Sequence, residues 1–155
     1  MVGLVKLSPL RYFADMSVPL SIRFDPDVLV RLRKRAASLP GATPSGVAGR
    51  LVDEGLRMAE HPGVVFRDGP SGRRAGLVVG PDVWELVVFL REVDERGPAA
   101  LSAAAEAFAL PESALTAGMN YYAAFSDEID AWIDEAQAAS ASAEVEWERR
   151  QALLA

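Results

Sequence analysis

No cysteine occurs in the 155 residues, which excludes a disulfide framework, a thiolate metal site and a thiol nucleophile. A single histidine, His61, excludes a His-paired metal site within one chain. No apolar run is long enough to cross a bilayer. The first 16 residues, MVGLVKLSPLRYFADM, lack the compact apolar core and small-residue cleavage site of a secretory signal. These absences predict a soluble, cytoplasmic protein without membrane contact. No nucleophile–base pair or ligand set stands out, so a non-enzymatic role without a cofactor or metal is expected. Positive charge is missing too: from Gly97 to Glu148 there is no Lys or Arg.

That gap is part of a wider asymmetry. Residues 1–57 hold nine Lys and Arg against five Asp and Glu, whereas residues 58–155 hold seven against 17. A basic front and an acidic back suggest two roles, with any polyanion contact in front. Half of the residues are hydrophobic, enough for one domain or two small ones. The pattern divides into residues 1–16 as an N-terminal extension, 17–59, 61–135, and a tail over 136–155.

Residues 17–24, SVPLSIRF, alternate cleanly, with Val18, Leu20, Ile22 and Phe24 apolar. This is the period of a half-buried strand. Asp25 is a good N-cap and Pro26 suits the first helical position. Val28, Leu29, Leu32, Ala36 and Leu39 then fall at helical spacing up to Pro40-Gly41. Thr43-Pro44-Ser45 starts a second helix, with Val47, Ala48, Leu51, Val52 and Leu56 as its apolar stripe. One strand and two helices in so few residues cannot close a core alone, and a lone strand leaves its amides unpaired. A second copy, with the strands pairing antiparallel about a twofold axis, solves both problems. The outward face of such a ribbon would carry Ser21 and Arg23, and it fits the DNA major groove.

This order of elements, from Ser17 to Met58, resembles the ribbon-helix-helix (CopG/Arc-like) repressors. The resemblance implies a homodimer bound to double-stranded operator DNA, with positions 19, 21 and 23 reading bases. Here these are Pro19, Ser21 and Arg23. Proline has no donor and offers only apolar contact. The resemblance also places phosphate at the start of the second helix, at Thr43, Ser45 and Gly46 with Arg50, where free N–H groups and the helix dipole favour an anion. The bland alternatives are a solvated Arg23 in an ordinary dimerisation ribbon, and an Arg31–Arg35 cluster that is merely a solvated helix face.

Beyond His61 the pattern changes. Val64–Arg67 and Arg73–Val78 read as a hairpin around a dense turn signal. Asp82 with Glu85 fits a capping box before an apolar helix ending at Gly97-Pro98. Two helices are expected over Ala99–Ala109 and Glu112–Phe125, and a last one from Ser126. HPGVVFRDGPSGRR, PDVWE and the helix-turn-helix rhythm of AEAFALPESALTAGMNYYAAF resemble part of certain VapB-type antitoxins and small helical domains of unassigned function. The would-be recognition helix carries no cation, so an independent DNA contact is not expected there. Arg67, Arg73 and Arg74 are either hairpin residues in solvent or paired with carboxylates, or auxiliary DNA contacts. Asp127, Glu128 and Asp130 are explained by the helix dipole. The fold class is therefore mainly α with small β: a ribbon-helix-helix head and a β-hairpin with a helical, helix-turn-helix-like bundle.

An Ala/Ser stretch at Ala138–Ala143 reads as a hinge before a short helical tail. By resemblance, Trp147, Leu153 and Leu154 would fill grooves of a PIN-domain ribonuclease toxin, with Arg149 or Arg150 approaching its acidic centre. The alternative is a terminal helix packed on its own domain. The expected function is a DNA-binding autorepressor serving as the antitoxin of a VapB/VapC-like pair. Its rivals are a repressor without a toxin and a dimerisation adaptor that never meets DNA.

Overall fold

The computed structural model describes residues 20–70 and 72–153. Pro19 and Leu154 lie outside the described residues. The elements in chain order are α1 (Pro26–Ala37), α2 (Pro44–Glu60), β1 (Val64–Gly69), β2 (Gly72–Leu77), α3 (Val83–Glu92), α4 (Pro98–Phe108), α5 (Glu112–Ala124) and α6 (Ser126–Ala152). The protein is mainly helical with one small antiparallel sheet. Among the described residues no helix is long and apolar enough to cross a membrane.

The chain divides into two compact units, residues 1–47 and 48–155. The boundary falls inside α2 rather than at His61, where the change of sequence pattern predicts it. In the N-terminal unit, the Asp25 carboxylate accepts the Asp27 amide at 3.0 Å and caps α1. Leu32, Ala36 and Val47 are buried. Residues 20–25 form no strand. Leu20, Ile22 and Phe24 are exposed, Ile22 by 53%. The reason is physical: a strand needs a ladder partner, and β1 and β2 are paired with each other.

The C-terminal unit is built around the hairpin. β1 and β2 pair in register from Val64↔Leu77 to Gly69↔Gly72. One cluster joins Val64 and Ala75 of the hairpin to Val83, Val87, Tyr121, Ile129 and Ile133. A second joins Leu77, Leu86, Ala104 and Leu115. The capping box forms as the sequence predicts: Glu85 Oε2 accepts the Asp82 amide at 2.7 Å, and the Asp82 side chain accepts from the third residue of α3. Between α4 and α5 the chain turns at Ala109, which takes the left-handed conformation at φ 52°.

α6 departs from expectation. It is one helix of 27 residues, with no break at Ala138–Ala143. The expected hinge is absent because alanine, which dominates that stretch, is the strongest helix former, and the intervening serines cost only tenths of a kcal/mol each.

Gly118 has a reason that the sequence does not reveal. A Cβ there would stand 2.9 Å from Leu86 Cδ2 and 3.1 Å from Leu77 Cδ2. α5 therefore approaches α3 and β2 at a distance that only glycine permits. Gly118→Val is expected to lose about 1–3 kcal/mol through overpacking, more than the few tenths gained in helix propensity. Urea unfolding followed by circular dichroism measures the difference.

Candidate nucleic-acid interface

The hairpin cations and those of α1 have different fates. In the C-terminal unit the hairpin and helix arginines are mostly spent on carboxylates of the same unit. Arg73 grips Glu54 with both ends of its guanidinium, Nε lying 2.8 and 2.9 Å from the two carboxylate oxygens and Nη2 2.8 Å from Oε2. Glu54 is only 5% exposed. The bonds from Glu54 hold the Arg73 pKa above its ordinary value despite partial burial. Arg67 lies 2.8 Å from Asp82 and also donates to the Gly80 carbonyl at 2.7 Å, which closes the turn from β2 into α3. Arg74 is buried, donates to Glu135 at 2.9 Å, and stacks near Trp84 and Trp132. Arg91 donates to Asp130 at 2.7 Å.

Arg57 is the most heavily engaged. Its Nη1 donates to Glu128 at 2.7 Å and to the Tyr121 hydroxyl at 3.0 Å, and its Nε lies 2.9 Å from Asp53. The guanidinium sits 4.3 Å over the Phe125 ring. Burial alone would lower its pKa, but Glu128 and Tyr121 more than offset this and the net shift is upward. Burial also raises the Tyr121 phenol, only partly relieved by the bond from Arg57. Glu128 and Asp130 thus serve as ion-pair partners at the start of α6. His61, at the turn after α2, packs edge-on against Tyr121 and Phe125.

In the N-terminal unit, Arg23, Arg31, Arg33 and Lys34 are exposed and make no ion pair with any described residue. Arg35 is also exposed but has a partner. Ser21 and Arg23 lie on the segment before α1 that has no regular secondary structure, two residues apart; a strand conformation would place them on one face.

The start of α2 is narrower as an anion site than the sequence suggests. Pro44 has no N–H, and the Gly46 amide donates to Thr43 Oγ1 at 3.1 Å. The Val47 amide is taken by the Thr43 carbonyl at 2.9 Å. Of the expected phosphate group, Thr43 therefore acts as a cap, and the Ser45 amide and hydroxyl remain open. Arg50 is exposed, 3.8 Å from Glu54, a loose pair that leaves its guanidinium reachable.

Of the tail residues, Trp147, Arg149 and Arg150 are exposed on the distal part of α6, and Leu153, which caps it, is exposed too. The alternative in which this segment packs on its own domain is not what the fold adopts. On α5, Glu112, Ser113, Thr116 and Asn120 are exposed, with Glu112 accepting from Ser102 at 2.7 Å. Among the described residues no cluster of three or more acidic, His or Cys side chains is placed to hold a metal ion.

The buried Glu54 carboxylate is what sequence reasoning missed. Its only signal was an acid near the apolar stripe of an amphipathic helix, flanked by Arg50 and Arg57. Arg73→Met is expected to destabilise the fold by about 3–5 kcal/mol, because it strands a buried charge. The double variant Glu54→Leu/Arg73→Met is expected to recover most of that loss, and thermal unfolding of the three proteins decides it. No family model, curated protein or solved structure matches this chain.

Proposed function

We propose that the protein is a homodimeric, sequence-specific DNA-binding transcription regulator of the ribbon-helix-helix kind. Residues 17–24 of two copies would pair as the ribbon that enters the major groove. The single observation that carries this is the contrast in cation pairing. Four exposed, unpaired cations gather in the short described part of the N-terminal unit, while the hairpin arginines are bound to carboxylates. Free cations are what a phosphate backbone neutralises, with release of counterions. A pure dimerisation adaptor has no need of them.

The exposed apolar residues support the dimer. Leu20, Ile22 and Phe24 alternate on the unpaired segment. On α2, Val52 and Leu56 lie roughly 160° round the helix from Glu54. The buried polar side of that stretch is thus already occupied, and the apolar side, with Leu56 57% exposed, is open. Each of these features would be covered by a second copy. Arg23 and Ser21 then read bases, Pro19 makes at most an apolar contact, and Ser45 with Arg50 positions phosphate.

A second reading extends the first. The exposed end of α6 favours capture of another protein, and by resemblance this would be a PIN-domain toxin, making the chain an antitoxin that represses its own operon. Without such a toxin it would act as a stand-alone repressor.

The test is a gel shift with duplex DNA from upstream of the gene. Arg23→Ala is expected to weaken binding by about 1–3 kcal/mol, or roughly 5- to 150-fold. Arg31→Ala and Arg33→Ala are expected to flatten the salt dependence by about one unit of slope for each phosphate that the variant no longer neutralises. Removing residues 144–155 is expected to leave DNA affinity intact. Unchanged binding in Arg23→Ala would refute base reading by the ribbon.

A further inference from the structure

One face of α3 and the end of α6 are both unpartnered, and they are complementary. An open groove of about 360 Å³ runs along α3. Trp84, Val88, Phe89 and Phe108 line it with apolar surface, and Glu85 and Glu92 add acidic groups. Glu85 uses one carboxylate oxygen for the capping box. Glu92 has no hydrogen-bond or ion-pair partner among the described residues.

From residue 137 onward every described residue of α6 is exposed. Trp147, Arg150 and Leu153 follow one another at intervals of three, and so share one side of the helix. Trp147 is 57% and Leu153 85% exposed. Arg150 makes only a 3.4 Å bond to the Glu146 carbonyl. This tail cannot turn back to its own α3. α6 packs on α3 through its first half, and Trp147 lies 14 residues past Ile133, the last buried position, roughly 21 Å further along a helix that does not break.

We propose that the α6 tail of one copy docks in the α3 groove of a second copy. Trp147 covers the apolar floor, and Arg150 faces Glu85 and Glu92. Charge complementarity selects this occupant: an acidic, apolar groove calls for an apolar side chain beside a cation. Within the C-terminal unit, the last turns of α6 set an exposed Trp beside an arginine that has no carboxylate partner, whereas the other described arginines there contact carboxylates, Arg50 only loosely at 3.8 Å, or, for Arg96, backbone carbonyls. Two copies can exchange tails reciprocally, which closes the assembly about a twofold axis. The contact needs neither DNA nor any other protein, and a toxin that takes the tail would compete with it.

The absence of native cysteine makes a clean test possible. Full-length Val88→Cys and Leu153→Cys chains are co-expressed and treated with a short bis-maleimide. Mixed-chain cross-links are expected at several times the yield from either variant alone. Trp147→Ala in the Leu153→Cys chain is expected to cut that yield at least about tenfold, as for loss of an interface anchor. Glu92→Arg in the Val88→Cys chain is expected to lower it, and Arg150→Glu in the opposite chain to restore it. Circular dichroism on the same samples checks the fold. A mixed yield no higher than that of either variant alone overturns the proposal, as does a yield indifferent to Trp147→Ala. The first result is also the one expected if the tail serves only a different protein. DNA affinity measured on the same samples is a separate readout, so this contact can fail while DNA binding stands.

Discussion

A short apolar segment that pairs with no described residue of its own chain is the feature on which the proposed function depends. Residues 20–24 carry an alternating apolar pattern, and they are exposed, with no regular secondary structure and no strand partner among the described residues. Leaving Leu20, Ile22 and Phe24 exposed by 80%, 53% and 39% forgoes a matching part of the about 1.5–3 kcal/mol that full burial of each supplies. Leaving the row of amides open also invites another strand. Every functional role proposed for the N-terminal unit follows from closing that edge with a second copy. Pairing would turn an unstructured segment into a ribbon, and only a ribbon holds Arg23 and Ser21 at a fixed spacing.

The C-terminal unit solves the opposite problem. Its carboxylates far outnumber its cations, and it uses its arginines as internal ties. Arg73 to Glu54, Arg57 to Glu128 and Tyr121, and Arg67 to Asp82 each link elements distant in sequence. A guanidinium suits this work, because its planar fork meets carboxylates with two bonds. The same ties remove these arginines from the set that could meet a nucleic acid. The hairpin arginines and Arg57 thus form internal pairs, while Arg23, Arg31, Arg33 and Lys34 of the N-terminal unit and Arg149 and Arg150 at the end of α6 stay exposed.

Much of the architecture was legible in the sequence. Asp25-Pro26 and Thr43-Pro44 start their helices where expected, because cap residues and proline act locally; Gly97-Pro98 instead opens α4, and α3, expected to run up to it, already stops at Glu92. The hairpin and the capping box of α3 were legible for the same reason. What local chemistry could not reveal depended on distant partners. Nothing near Glu54 announces that Arg73 will bury it, and nothing near Gly118 announces Leu86 and Leu77. The Ala138–Ala143 stretch misled in a different way: a composition typical of linkers also has strong helix propensity, and the helix already running from Ser126 needed no new nucleus to continue through it. At the start of α2, the sequence raised the expectation of an anion site but did not reveal that the Thr43 hydroxyl accepts from the Gly46 amide. Of the candidate interface, the open cations were legible, and their freedom from internal partners was not.

The central claim is that residues 20–24 become ordered only when two copies meet. Amide hydrogen exchange at each of residues 20–24, followed as the protein is diluted, tests it most directly. Alternate amides of a paired antiparallel strand are bonded across the ladder. The account predicts slowed exchange for at least one alternate set in this segment at high concentration, disappearing together with the dimer on dilution. Exchange at the rate of an unstructured peptide at every concentration, including those at which a dimer persists, would contradict it.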